Sequence, residues 1–240
     1  MMMINSYFPI LPEVKRKILI LICTVTVMAF GDKSIAQEND YGTWLTIDLT
    51  KELTKRLDLE LEEEVRIFQQ FSEISRFATT AGVSYSMAEF LKVAAGYTWI
   101  YRHDVKDSFW ENRHRYFLQL TGKATIGRLD FSLREKFQST YIDKDVKGFD
   151  FSPENYLRSR LQIAWDVKNS PLKPYGSAEM HYQLNNPDGN KVNNWRYTAG
   201  IEFPLSKMLN LDTYLRLSHE LNVKNPVDLY LIGVNLKWKL

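Results

Sequence analysis

From Tyr41 to Leu240 the chain alternates apolar and polar residues with a period of two, in segments of roughly 10 to 14 residues separated by turn residues. Successive side chains of a strand point to opposite faces, so each segment predicts a strand with one apolar and one polar face. In the first long segment Leu57, Leu59, Leu61, Val65 and Ile67 share one face, and Asp58, Glu60, Glu62, Glu64 and Arg66 share the other. The same division recurs where Phe77, Ala81, Val83 and Tyr85 oppose Arg76, Thr80 and Ser84, and where Leu129, Phe131, Leu133 and Phe137 oppose Asp130, Arg134, Lys136 and Gln138. Similar segments contain Trp99, Leu118 and Leu161, and four more are centred on Met180, Ala199, Leu215 and Val234. With the shorter stretch Tyr41 to Thr50 the count is about eleven.

Three features turn this pattern toward a membrane barrel. The segments exceed ordinary strands of about 5 to 6 residues and suit a tilted bilayer crossing of about 9 to 11. Aromatic residues gather toward segment ends, as with Trp99 and Tyr101, Phe137 and Tyr141, Trp195 and Tyr197, and Trp238, where their rings suit the headgroup levels. Connections alternate between short (Ser86 to Glu89, Ala124 to Gly127, Pro204 to Lys207) and long (Arg102 to Glu111, Ile142 to Asn155, Asn185 to Asn194), the asymmetry of periplasmic turns and outer loops. The expected fold is all-β, an antiparallel up-and-down transmembrane β-barrel. Single-chain bacterial barrels have even strand numbers, which favours ten or twelve strands over the eleven counted.

The first 36 residues fall outside the pattern. Lys15, Arg16 and Lys17 precede an apolar run from Ile18 to Phe30, and Ser34-Ile35-Ala36 follows: a basic region, an apolar core too short to span a bilayer as a helix, and a small-x-small cleavage motif. Residues 1–36 are therefore expected to be a signal peptide cleaved after Ala36, with Val14 an alternative initiator, and residues 37–240 to be one barrel domain exported to the outer membrane of a Gram-negative bacterium. Cys23, the only cysteine, would leave with the leader, which excludes an internal disulfide and a thiolate site. The leader also takes four bases and two acids from the formal charge of +2, leaving the exported chain neutral. A neutral chain without a clustered basic face implies no nucleic-acid partner.

The polar alternates carry the candidate chemistry. Glu60, Glu62, Glu64, Arg113, Arg115, Arg134, Lys136, Arg158, Arg160, Glu179, His181, Arg196, Glu202, Arg216 and Glu220 are expected to line the lumen. They either fill it as interlocked ion pairs or form a selective constriction, with the Glu60-Glu62-Glu64 row facing the basic strands. A lipid hydrolase is the competing class, but its residues are thin on the ground. His103 and His114 flank an expected loop, His181 sits beside Glu179, and Ser218 and His219 are sequence neighbours on opposite faces, out of reach as nucleophile and base. There is no G-x-S-x-G elbow. Asp143, Asp145 and Asp150 lie close in one loop, yet Lys144 and Lys147 intervene and the spacing fits no calcium loop. Asn185 to Asn190 reads as a Pro-Asp-Gly turn. No catalytic residue, metal or cofactor is expected.

The opening Tyr41-Gly42-Thr43-Trp44, the acidic strand leading to Glu64-Val65-Arg66 and the segment Ala95-Gly96-Tyr97 resemble the domain-of-unknown-function family 2490, predicted outer-membrane β-barrel proteins of Gram-negative bacteria, over about Asp40 to Leu240. The resemblance implies the barrel fold and outer-membrane location, and brings no activity or catalytic residue. The final segment, with Tyr230, Ile232, Val234, Leu236, Trp238 and Leu240 on one face, is similar to the C-terminal strand by which barrel-assembly machinery recognises its clients, although such strands commonly end in an aromatic rather than a leucine. Outer-membrane lipid and that machinery are the expected partners. The leading expectation is a non-enzymatic narrow channel for small polar solutes or a structural barrel; the alternatives are a lipid hydrolase and a soluble periplasmic barrel binding an apolar ligand.

Overall fold

The structure, a computed structural model, describes residues 38–104, 109–143, 153–223 and 225–240. The expected leader over 1–36, Cys23 within it, and Lys144, Asp145, Lys147 and Asp150 lie outside the described residues. Eleven strands follow one another: β1 (Glu38–Thr54), β2 (Leu57–Phe68), β3 (Glu73–Ala88), β4 (Leu91–Asp104), β5 (Phe109–Ile126), β6 (Leu129–Asp143), β7 (Glu154–Trp165), β8 (Lys173–Gln183), β9 (Lys191–Pro204), β10 (Leu209–Glu220) and β11 (Val227–Lys239). Each pairs with its sequence neighbours and the sheet closes on itself as a barrel.

Closure corrects the expected parity. With an odd number of strands β1 and β11 run the same way, and they pair in parallel from Glu38↔Val227 to Thr50↔Lys239; every other ladder is antiparallel. A parallel ladder satisfies the same backbone groups with evenly spaced, slanted hydrogen bonds, so nothing in backbone chemistry forbids an odd barrel. The segment read as a short Tyr41–Thr50 is a full strand of 17 residues. The long loop expected from Arg102 to Glu111 is largely ladder, paired through Arg102↔Glu111, His103↔Trp110 and Asp104↔Phe109.

One barrel end, the long-connection end, carries the start of β1, the turn 69–72 and the strand ends where β4 meets β5, β6 meets β7, β8 meets β9 and β10 meets β11. The other, the short-connection end, carries the end of β11 and the connections 55–56, 89–90, 127–128, 166–172 and 205–208, three of them only two residues long. At the long-connection end Gln69, Gln70 and Phe71 all adopt left-handed backbone, φ 51, 57 and 66°, at a cost of roughly 1 to 2 kcal/mol each. The Asp40 carboxylate offsets this by accepting the backbone N–H groups of Gln69 and Gln70, both at 3.2 Å.

The barrel is apolar outside and polar inside. Leu118 is 61% exposed, and Leu45, Leu59, Leu133, Leu161 and Ile232 are likewise exposed on the outer face. Glu64, Thr98, Gln138, Thr140, Glu179, His181 and Asp212 are buried within. Two carboxylates on the outer face find hydroxyl partners: Thr79 donates to Glu63 at 2.9 Å and Ser159 to Glu135 at 2.6 Å. The few buried apolar side chains include Trp44, Tyr214 and Leu231, which form a small cluster inside. Inward aromatics lie flat over glycines of the next strand: Phe117 over Gly96, Tyr175 over Gly200 and Tyr214 over Gly233. A bare backbone is what lets each ring fold down against the wall.

Candidate functional site

The lumen's electrostatics follow from period and register together. Alternation turns Glu60, Glu62 and Glu64 of β2 inward, and it does the same for the bases of β5, β6, β7, β9 and β10. Register then sets like charges opposite each other: Arg66↔Arg76 between β2 and β3, and Arg134↔Arg160 and Lys136↔Arg158 between β6 and β7. Directly opposed like charges are destabilising in a sheet; at ~6 Å and an effective dielectric of ~20 the repulsion is about 3 kcal/mol per pair.

Two carboxylates act as hubs against that repulsion. Glu64 accepts Arg66 Nη2 at 2.9 Å and lies 3.3 Å from Arg76 Nε. Its Oε1 is also 2.8 Å from Arg66 Nε; these Nε contacts are ion pairs whose N–H groups point off the line of a hydrogen bond. Glu179, across the barrel on β8, receives Arg134 Nη2 and Arg158 Nη2, each at 2.7 Å. Gln138 accepts Arg158 Nη1 at 3.0 Å. His181 Nε2 stands 3.8 Å from Glu179, too far for a hydrogen bond.

Toward the short-connection end charges are matched. Lys237 contacts Glu202 at 2.6 Å and Asp212 at 3.0 Å, Lys92 contacts Asp58 and Glu60, and Lys173 pairs with Asp130. The middle is different. There Arg115 donates to Thr140, Arg196 to Ser218 and Arg216 to Thr198, all neutral hydroxyls. Three guanidinium groups also crowd the Trp44 ring, with Arg66, Arg216 and Arg196 carbons 3.6, 4.7 and 5.2 Å from its centroid. Lys136 Nζ sits 3.8 Å above the Phe117 ring. Such contacts return roughly 1 to 2 kcal/mol of attraction when desolvated.

Among the described residues, interior cavities succeed one another along the axis and share walls. One of about 550 Å³ at the long-connection end is lined by Arg113 and Glu220 among others. A middle one of about 410 Å³ shares Trp44, Arg66, Arg76, Arg115 and Arg196 with it. A third, about 1080 Å³ at the short-connection end, shares Glu60, Arg134 and Arg160 with the middle one and adds Glu202. Glu62, Glu64, Lys136, Arg158, Glu179 and Arg216 line the middle cavity. His181 is buried beside Glu179 and lines none of the three.

The register therefore gathers the acidic row and the basic strands around one space. Residues outside the expected set complete it: Trp44, Asp48, Arg66 and Arg76 line the middle cavity as well. Trp44 carried a readable signal, since it shares parity with Asp48 on the inward face of β1; the apolar character of tryptophan masked it.

The remaining candidates disperse. Ser218 is buried inside, while His219 on the same strand holds Asp228 at 2.6 Å on the other face. His114 Nδ1 meets the Tyr97 hydroxyl at 2.6 Å on the outer face, and His103 pairs with Glu73 at 2.7 Å. Among the described residues no three His, Cys, Asp or Glu side chains gather as a metal cage. The Asn185–Asn190 stretch turns at Gly189, φ 94°, with Asn186 Oδ1 accepting the Asp188 N–H at 2.9 Å. A family profile described as "Protein of unknown function (DUF2490)" matches residues 41–226. No curated protein matches the chain.

Proposed function

The chain belongs to this family of unknown function, and from that premise we propose that it is an exported outer-membrane β-barrel whose lumen is a narrow conduit for small polar solutes. The observation that carries the reading is the inversion of the fold: leucines and isoleucines stand exposed on the outer wall while the carboxylates and guanidinium groups are turned inward. Water disfavours that outer surface and hydrocarbon accepts it. The spacing of outer-face aromatics adds a dimension. Phe77 and Tyr85 on β3, Trp195 and Phe203 on β9, and Tyr230 and Trp238 on β11 are each eight residues apart on one face. Eight residues span ~27 Å along a strand, or about 20 Å along the normal at a tilt of ~40°, close to the ~25 Å apolar band between aromatic girdles.

Short turns belong on the periplasmic side, so β11 would end there with Ile232, Val234, Leu236 and Trp238 facing outward for the assembly machinery and then for lipid. Successive cavities sharing charged walls among the described residues favour a conduit over a solid structural barrel. The role is non-enzymatic in this reading, supported by Ser218 and His219 pointing to opposite faces and by His181 standing among Glu179, Arg158 and Asn194 with no hydroxyl nucleophile paired to it in either ladder. Heat-modifiable migration of the protein from an outer-membrane fraction is the expected result. Recovery as a soluble periplasmic protein would overturn the location. Discrete conductance in planar bilayers is expected next, and silence there would leave a structural barrel.

A further inference from the structure

We propose that the middle cavity of the lumen is a binding site for a small, multiply charged oxyanion of the phosphate class. The cavity is lined by nine lysine or arginine side chains and five carboxylates. Even with every carboxylate counted, four positive charges stay uncompensated. Glu64 and Glu179 are already committed to two arginines each. Of the rest, Glu60 is held by Lys92 and Ser84, Asp48 accepts a hydrogen bond from Asn235, and Glu62 stands opposite Asp48 across the β1–β2 ladder. Arg115, Lys136, Arg160, Arg196 and Arg216 have no carboxylate within ion-pair distance among the described residues; four of them touch only hydroxyls or aromatic faces.

A structural lumen needs none of this. Burying a cation without a counter-charge is costly, and a plug would serve as well with matched pairs, as at the short-connection end. Two of the five, Lys136 and Arg160, lie on one wall, each across the β6–β7 ladder from an arginine that Glu179 already holds. An oxyanion placed there gives Lys136 and Arg160 the counter-charge they lack and accepts the guanidinium fork in the bidentate geometry that group favours. The space of about 410 Å³ admits phosphate with its water or a small phosphorylated solute. The strands wall the cavity from the outside, so the ligand is a dissolved solute rather than a lipid headgroup.

The inference rests on the reading of the lumen as a solvent-filled conduit, but its test reads binding and not conductance, so the two can fail separately. Inorganic phosphate is titrated calorimetrically into the detergent-folded full barrel, at constant ionic strength made up with chloride. Saturable one-to-one binding is expected. Lys136→Gln and Arg160→Gln, neither of which breaks an ion pair, should each weaken it by about tenfold, the loss of one charge-assisted hydrogen bond. Arg128→Gln, in the 127–128 turn, should leave it unchanged. Both lumen variants should keep the heat-modifiable fold, since each relieves repulsion. Absence of saturable phosphate binding, or equal affinity in the wild type and both lumen variants, overturns the proposal.

Discussion

At Glu179 a single carboxylate holds two guanidinium groups that reach in from β6 and β7, and at Gly200 a missing side chain makes room for the ring that stands opposite it. Glu179→Gln leaves Arg134 and Arg158 with no counter-charge, and breaking a buried pair of this kind costs about 3 to 5 kcal/mol. A lowered urea midpoint for the detergent-folded barrel is the expected readout, and an unchanged midpoint would show that solvent already screens the hub. The glycines divide just as sharply. A Cβ on Gly200 would fall 2.6 Å from the Tyr175 ring, whereas one on Gly122 meets nothing within 4 Å. Gly200→Ala should therefore destabilise by about 1 to 3 kcal/mol through overpacking, and Gly122→Ala should be neutral or slightly stabilising. Parallel unfolding curves distinguish the two.

On the scale of the strand, the pleat decides which substitutions the barrel tolerates. Leu118 of β5 is 61% exposed on the outer wall, while its neighbour Gln119 lines the middle and short-connection cavities. For a strand in lipid, Leu118→Arg should cost about 2 to 4 kcal/mol near the midplane. For a strand in water, an arginine on an exposed site is nearly free. Folding yield into lipid vesicles measures the difference, and wild-type yield for Leu118→Arg would argue against a lipid-facing wall. The aromatic ladder at the long-connection end, where Trp110 stacks on Tyr101 at 4.6 Å and on His103 at 5.1 Å, extends β4 and β5 beyond the length that their loop-like polar sequence suggested.

For the whole molecule, odd closure sets β1 to begin at one barrel end and β11 to finish at the other. Orientation then becomes measurable with single cysteines, because the only native one is Cys23. Asn190→Cys in the 184–190 connection should react with a membrane-impermeant maleimide on intact cells, and Lys207→Cys in the 205–208 turn should react only after the outer membrane is opened. The reverse pattern would invert the proposed orientation. The seam itself is reinforced by side chains, since Thr43 Oγ1 donates to the Ile232 carbonyl and Asn235 donates to Asp48, each at 2.8 Å.

Alternation determined which side chains share a face, because a strand has only two faces and a register error of one residue would exchange them all. It therefore gave the strand count of eleven and grouped Glu60, Glu62, Glu64 and the basic rows on one set of faces, which segment length, aromatic ends and loop asymmetry turned inward. What alternation lacks is any term linking residues distant in the chain. The parallel seam joins segments 189 residues apart, as in the Thr43–Ile232 bond, and a rule of even parity drawn from other barrels overrode a correct count. Only the closed structure fixed the pairing of Arg134 with Arg160 and Lys136 with Arg158, the two carboxylate hubs, and the three guanidinium groups around Trp44. Those contacts depend on turn lengths and on the stagger at which the sheet closes. Sequence parity gathered the charges on one face; closure decided which of them meet a carboxylate and which, among the described residues, do not.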